Sequence, residues 1–324
     1  MEENAHLKYP HQENIIKNLE NIIKNNSLAN AYIFHGPDGI GKKEVAFQFI
    51  NKLLNKNNCD FQVDKRIREN NHPDFSLIEP ISLQKSSFVN RAIHKSNNTK
   101  NIQSIIRVDQ IRNLRSFISK KSIESEKKVV LINDAHLLNE AASNCLLKTL
   151  EEPTNGLFIL LTAEMNLLLD TIISRCQKIR FKTYSNQELK EFIKTNKSPE
   201  LNQKIYKIEE LIYLSNGSPG KLIDNIKTWN TISSDIKEKI NFPIKDISQV
   251  LILSKHIHEE LDNYQQDFLI NYVQLIWWKK IKNREIIQIL EDLKQKLQQN
   301  IQPRLSWEVS LLKITLTIYP TAIG

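Results

Sequence analysis

The chain has 324 residues, 25% of them charged and 40% hydrophobic, which is ordinary for a soluble protein of two or three domains. No run of about 18 apolar residues is present to cross a bilayer, and the polar start Met1-Glu2-Glu3-Asn4 lacks the charged-then-apolar order of a secretory leader, so a cytoplasmic location with no membrane partner is expected. A formal net charge of +8 is compatible with DNA nearby, but the excess is lysine scattered among asparagine and isoleucine, with no dense basic-aromatic stripe that would establish it.

Ala31-Tyr32-Ile33-Phe34-His35 reads as a short buried strand, and Val45, Phe49 and Leu53 recur after it at helical spacing. Between them lies Gly36-Pro37-Asp38-Gly39-Ile40-Gly41-Lys42-Lys43, a phosphate-binding loop in all but its last residue. Gly36, Gly39 and Gly41 allow backbone N–H groups to wrap phosphates at a helix N-terminus, and Lys42 is the residue that reaches the β and γ oxygens. Lys43 stands where a Ser or Thr hydroxyl would hold Mg²⁺, and a protonated ammonium cannot be a metal ligand. Cys59, Cys145 and Cys176 are too few and too scattered for a disulfide framework or a four-cysteine zinc site, so packing or plain exposure is expected of each.

A second strand, Val129-Val130-Leu131-Ile132, leads into Asn133-Asp134, where a nucleotide hydrolase carries an acidic pair. The first acid is replaced by Asn133, an amide that gives a metal ion no charge compensation. Asp134 is left either to polarise water or to cap the helix that follows. In that helix Leu138, Ala142, Cys145 and Thr149 share one face, and Pro153 closes it. Leu157 to Leu161 form a third buried strand ending at Thr162, a polar residue at the strand end where α/β sheets place ligand groups. Arg175, in the turn Thr171 to Gln177, suits either a finger on a phosphate or a surface ion pair. The remainder reads as helical: amphipathic stretches around Leu189, Phe192, Ile208 and Leu211, the turn Gly217-Ser218-Pro219-Gly220, a linker at Asn241-Phe242-Pro243, and longer helices from about 245 to 318. Trp277 and Trp278 suit an interface as well as a core.

The loop at 36–43, His72-Pro73-Asp74, Val108-Asp109-Gln110-Ile111-Arg112, the string Leu146 to Pro153 and Ser174-Arg175-Cys176 together resemble the AAA+ subunits of the bacterial DNA polymerase III clamp loader, the delta-prime branch most closely. The motifs are dense from about residue 8 to 181, and the resemblance is weak beyond 220. It implies an α/β AAA+ phosphate-loop domain over residues 1–182, a parallel sheet with flanking helices, then a small helical lid over 183–240 and an all-α collar over 241–324 through which subunits join in a ring. It also implies that Arg175 is a catalytic residue in trans, a finger for the ATP site of an adjacent gamma or tau subunit. In that reading Gly36, Gly39, Gly41, Lys42, Lys43, Asn133, Asp134 and Thr162 form a degenerate nucleotide site. The partners implied are the gamma or tau and delta subunits, the sliding clamp and, in the assembled hetero-oligomer, primer-template DNA.

Two departures from the family pattern follow from the residues. With only Cys59 ahead of His72, the four-cysteine zinc module of many members is lacking. Near Gly220 and Lys221 the nucleotide-sensing arginine of ATPase members is missing. No metal and no required cofactor are therefore expected, while weak ATP or ADP binding without turnover stays open. So do two other readings: a catalytically active gamma- or tau-like ATPase, recognisable by Mg²⁺-dependent turnover of the isolated chain, and a stand-alone DNA-binding protein, recognisable by salt-sensitive affinity for primer-template without partners.

Overall fold

The computed structural model describes residues 12–55, 61–82, 104–152, 156–196, 208–299 and 301–320; Cys59 and Pro153 lie outside them. The chain separates into two compact units, one built from residues up to Thr195 with Gly217–Gly220, the other from Asn196–Asn216 and Lys221 onward. In chain order the first contains α1 (Glu13–Lys24), β1 (Ala31–His35), α2 (Lys42–Leu54), α3 (Phe61–Arg68), β2 (Phe75–Ile78), β3 (Ile81–Ser82), β4 (Ser104–Ile105), α4 (Val108–Ile118), β5 (Lys128–Ile132), α5 (Glu140–Glu151), β6 (Gly156–Thr162), α6 (Asp170–Ser174), β7 (Gln177–Arg180) and α7 (Asn186–Thr195).

Five of these strands form a parallel sheet in the order β2-β5-β6-β1-β7, and β3 and β4 make a separate antiparallel pair. Strands covered by helices on both faces need apolar side chains at successive positions rather than alternate ones. Accordingly β6 is buried along its whole length and β1 over its first four residues. Tyr32 and Phe34 pack against Phe49 of α2. Ile33, on the opposite face, joins Ile111, Leu114, Val130, Leu146, Leu160 and Ile172 in the main core. Burying a side chain of this size contributes about 1.5–3 kcal/mol, so this core fixes where β1 ends and the glycine loop begins. The edge strand β7 reads Gln-Lys-Ile-Arg and is largely exposed.

The structure decides several local questions. Asn139 rather than Asp134 caps α5, its Oδ1 accepting the Ala142 N–H at 2.8 Å, a bond of about 1 kcal/mol. Asp134 instead has left-handed backbone (φ 49°) at the start of a short 3₁₀ turn, Ala135–Leu137. Leu138 is extended and lies ahead of α5, yet with Cys145 it packs against the core that Ala142 and Leu146 enter, and Thr149 is buried on the same helix. Arg175 follows directly on the short helix α6, as its C-terminal cap.

The second unit is helical: α8 (Ile208–Leu214), α9 (Pro219–Thr231), α10 (Ser234–Lys239), α11 (Ile247–Glu260), α12 (Asn263–Ile281), α13 (Arg284–Gln298) and α14 (Pro303–Ile318), with the first two residues of α9 belonging to the first unit. Pro219 and Gly220 thus open a helix, where a proline's missing N–H is harmless. Trp277 is a core residue, 3% exposed, its indole N–H donating to the Ile240 carbonyl at 2.9 Å, while Trp278 is 44% exposed. Among the described residues no helix is long and apolar enough to cross a membrane.

Candidate functional site

The loop after β1 opens with Gly36, which also shows why glycine is needed here: its φ is +151°, and a Cβ would meet the Phe181 carbonyl oxygen at 2.5 Å. Gly39 and Gly41 take φ of +71° and +98°. The Gly36 N–H donates to the Thr162 carbonyl at 3.2 Å and the Phe181 N–H to the His35 carbonyl at 2.8 Å, so the loop is fixed from both neighbouring strands. Lys42, the first residue of α2, is 7% exposed. Its ammonium donates to the Gly36 carbonyl and, at 2.8 Å, to the Pro37 carbonyl, and lies 3.7 Å from Asp38. Burial pushes its pKa down, against the pull of Asp38 and Asp134. The residue that would grip phosphate oxygens is here bonded to its own loop.

Lys43 turns its ammonium to Glu79 Oε1 at 2.7 Å. The Asn133 amide donates to Asp134 Oδ2 at 3.0 Å. Burial raises the Asp134 pKa, and Asp38 adds to it, while His136, Lys42 and Lys43 oppose. Thr162, fully buried at the end of β6, has its hydroxyl 3.3 Å from His136 Nδ1 and accepts the Glu164 N–H at 3.1 Å. Mg²⁺ requires several hard oxygen donors. An ion-paired ammonium, an amide already donating, and Asp134 made harder to ionise do not fit it, and the other carboxylates lining the cleft, Asp38 and Glu44, face Lys42 and Arg68. Among the described residues no three His, Cys, Asp or Glu side chains cluster as metal ligands.

Gly36 apart, these groups meet at one cleft or beside it. Gly39, Gly41, Lys42, Lys43, Asn133 and Asp134 line a cleft of about 450 Å³, with Gly220 on its wall, and Thr162 lies behind it through His136. Gly220 sets the geometry of that wall. Its N–H donates to the Gly39 carbonyl at 2.8 Å, and the Ser218 hydroxyl donates to the Asp38 carbonyl at 2.7 Å. A Cβ at residue 220 would lie 2.7 Å from Gly39 Cα and 2.9 Å from Gly39 O, so no side chain fits at this position without moving the loop.

Arg175 is not part of the cleft lining. Its guanidinium donates to the Thr171 carbonyl at 3.0 Å and to Glu151 at 2.6 Å, and 38% of the side chain is exposed. Sequence reasoning missed the partners: Glu79 for Lys43, His136 for Thr162, Ser218 for the loop and Glu151 for Arg175. Ser218 and Glu151 stood inside quoted motifs, whereas nothing in the sequence pointed to Glu79, 36 residues from Lys43. His72-Pro73-Asp74 is structural: the Asp74 carboxylate accepts the N–H groups of Ile123, Glu124 and Ser125 and the Ser125 hydroxyl at 2.7–2.9 Å.

Comparison with known proteins bears on the same residues. Residues 11–185 match the family described as "DNA polymerase III, delta subunit", and residues 187–314 match "Cyanobacterial DNA polymerase III delta prime, C-terminal domain". The chain is 31% identical to the DNA polymerase III subunit delta' of Bacillus subtilis (strain 168) over 202 residues, 59% of this chain and 54% of the relative. It is 30% identical to the delta' subunit of Pseudomonas aeruginosa over 198 residues, again 59% and 54%. The tau subunit of Bacillus subtilis is 34% identical over 180 residues, 55% of this chain and 29% of that one. The chain spans about half the length of the delta' relatives it matches. A DNA polymerase III gamma subunit-related protein of Thermotoga maritima has the same fold, with a TM-score of 0.53 at 16% identity over 91% of this chain and 97% of that one. The parallel AAA+-type domain and the helical region after it, matched along nearly their full length by these two families, place the chain in the delta-prime subunit family of DNA polymerase III.

Proposed function

We propose that this chain works in the cytoplasm as the delta-prime component of a DNA polymerase III clamp loader, a stator without ATP turnover of its own. It joins gamma or tau and delta subunits, helps open the sliding clamp and place it on primer-template DNA, and supplies Arg175 in trans to the ATP site of its neighbour. In this reading residues 1–182 act as the AAA+ domain, 183–240 as the lid and 241–324 as the collar. The observation that carries the proposal is the contrast between two places. Arg175 stands outside its own cleft, exposed at the end of α6. Inside the cleft the groups for metal-assisted hydrolysis are exchanged for Lys43 and Asn133. A guanidinium is permanently charged and planar, which suits it to the charge that develops on a transferred phosphoryl group. Gly39, Gly41 and Lys42 line the cleft and need no metal to meet a phosphate, so the proposal includes weak ATP or ADP binding without turnover, in which Lys42 exchanges its loop carbonyls for phosphate oxygens.

The test is DNA- and clamp-stimulated ATP hydrolysis by the reconstituted loader, with this chain or its Arg175→Ala variant. Loss of a trans finger lowers turnover about a thousandfold at the one affected site, with other sites diluting the total. Unchanged turnover with assembly intact overturns the finger, and Mg²⁺-dependent turnover by the isolated chain overturns the stator reading.

A further inference from the structure

On the β7 side of the glycine loop lies a second concavity of about 530 Å³, lined by His35, Gly36, Ala163, Arg180, Phe181 and Lys182 among others. The register of the sheet builds it. His35 pairs with Arg180 across β1 and β7, so the two side chains rise from the same face of the sheet, and Lys178 lies two residues before on that face. Lys182 continues the alternation and reaches the same concavity. Lys178, Arg180 and Lys182 are exposed, and none is paired with a carboxylate among the described residues. Elsewhere in this unit cations are commonly paired: Arg66 with Glu124, Arg68 with Glu44 and Asp64, Arg115 with Glu152, Arg175 with Glu151. The acids beside the concavity do not line it: Asp38 lies near Lys42, and Glu164 follows Ala163.

Edge strands are often blunted with lysine to prevent pairing with another chain. That need is met by charge at any position along the edge. It does not require that a histidine, an arginine and a lysine share one concave wall from which carboxylates are excluded.

We propose that this concavity is a phosphate-binding site, separate from the cleft on the other side of the loop, in which Arg180 and Lys182 hold the phosphate oxygens and His35 borders them. An arginine fork beside a lysine point charge is the donor set that phosphate oxygens select. Alternate residues along the strand repeat every 6–7 Å or so, which lets Lys178 meet a second charge of an extended polyanion. The site does not depend on Arg175 or on the stator role. His35 reports on it: burial, then Arg180, Lys178 and Lys42, push its pKa down, so a bound phosphate reverses the charge effect.

The experiment is NMR of the histidine rings in the full chain, titrated with inorganic phosphate and separately with a single-stranded oligothymidylate, against sodium chloride at equal ionic strength. The expected result is a saturable shift of the His35 signals and a rise in its apparent pKa, neither of which chloride produces. The response disappears in Arg180→Ala/Lys182→Ala, while the remaining histidine signals certify that this variant is folded, and it persists in the control Lys121→Ala. A tighter response to the oligothymidylate identifies backbone phosphates as the source. A response to inorganic phosphate alone identifies a free or terminal phosphate. No response to either, an equal response to chloride, or a response that survives the double variant overturns the proposal.

Discussion

The Arg175 guanidinium meets the Glu151 carboxylate at 2.6 Å, and this contact joins Ser174-Arg175-Cys176 to the string that begins at Leu146. Two motifs read separately along the chain are thus one structure, and the adjacent Glu152 does the same for Arg115 on α4. An exposed pair of this kind contributes about 0–1 kcal/mol to folding. Its effect is on geometry: Glu151, together with the Thr171 carbonyl, fixes the direction of a long side chain. Glu151→Gln is therefore expected to shift stability by less than about 1 kcal/mol in urea denaturation. In the reconstituted loader it should lower stimulated ATP turnover by less than Arg175→Ala does. A larger loss of stability would mean that Glu151 supports the fold and not the arginine.

The fold was legible where chemistry and periodicity coincide. Buried parallel strands such as Leu157–Leu161 need unbroken apolar runs, and the glycine loop needs its glycines, so both are written locally. The substitutions at Lys43 and Asn133 were equally visible. What the sequence did not carry is contact between distant residues. Asp134 and Asn139 are both good caps in isolation, and only the 3₁₀ turn at Ala135–Leu137 decides that Asn139 caps α5. Trp277 and Trp278 are alike in sequence, and the packing of α12 alone separates the buried one from the exposed one.

That separation gives a second prediction. Trp277→Phe leaves the Ile240 carbonyl without its indole donor in a buried setting and is expected to cost about 1–3 kcal/mol. Trp278→Ala should change stability by no more than about 0.5 kcal/mol, as surface substitutions do. Tryptophan fluorescence during denaturation checks both. Equal losses in the two variants would contradict the assignment of Trp277 alone to the core.

Restoring single residues of the cleft should not restore hydrolysis. Lys43→Thr supplies the missing hydroxyl but leaves Asn133 in place, and Asn133→Asp does the reverse. The double variant is expected to gain Mg²⁺-dependent affinity for ADP by calorimetry and still show no turnover, because the sensing arginine that the family resemblance implies near Gly220 and Lys221 is missing. Nor can one be added there without strain. With Gly39 Cα only 2.7 Å from a Cβ at 220, Gly220→Ala should cost about 1–3 kcal/mol by overpacking and break the Gly220 N–H bond to Gly39. A stable Gly220→Arg variant that turns over ATP would refute this account.

The Asp74 carboxylate provides a prediction with a defined pH window. Burial alone would push its pKa up, but the N–H groups of Ile123, Glu124 and Ser125 and the Ser125 hydroxyl outweigh burial and hold it below the ordinary value. A carboxyl whose pKa is depressed in the folded state stabilises the fold fully above its unfolded pKa, near 4, and loses that contribution as pH falls through the lower folded value. Asp74→Asn presents an amide to donors that need a carboxylate and is expected to cost about 2–3 kcal/mol at pH 7. Below about pH 4 the gap between wild type and variant should narrow, because protonation removes the same charge from the wild type. His72, whose burial depresses its pKa, destabilises both proteins as pH falls from the mid-6 range; the Asp74 charge partly offsets that depression in the wild type alone, which widens the gap near pH 5 and drops out once Asp74 is protonated. Urea denaturation of the two proteins at pH 7, 5 and 3 measures that difference. A gap as wide at pH 3 as at pH 7 would mean that Asp74 acts through shape and not through charge-assisted bonds to the 123–125 loop.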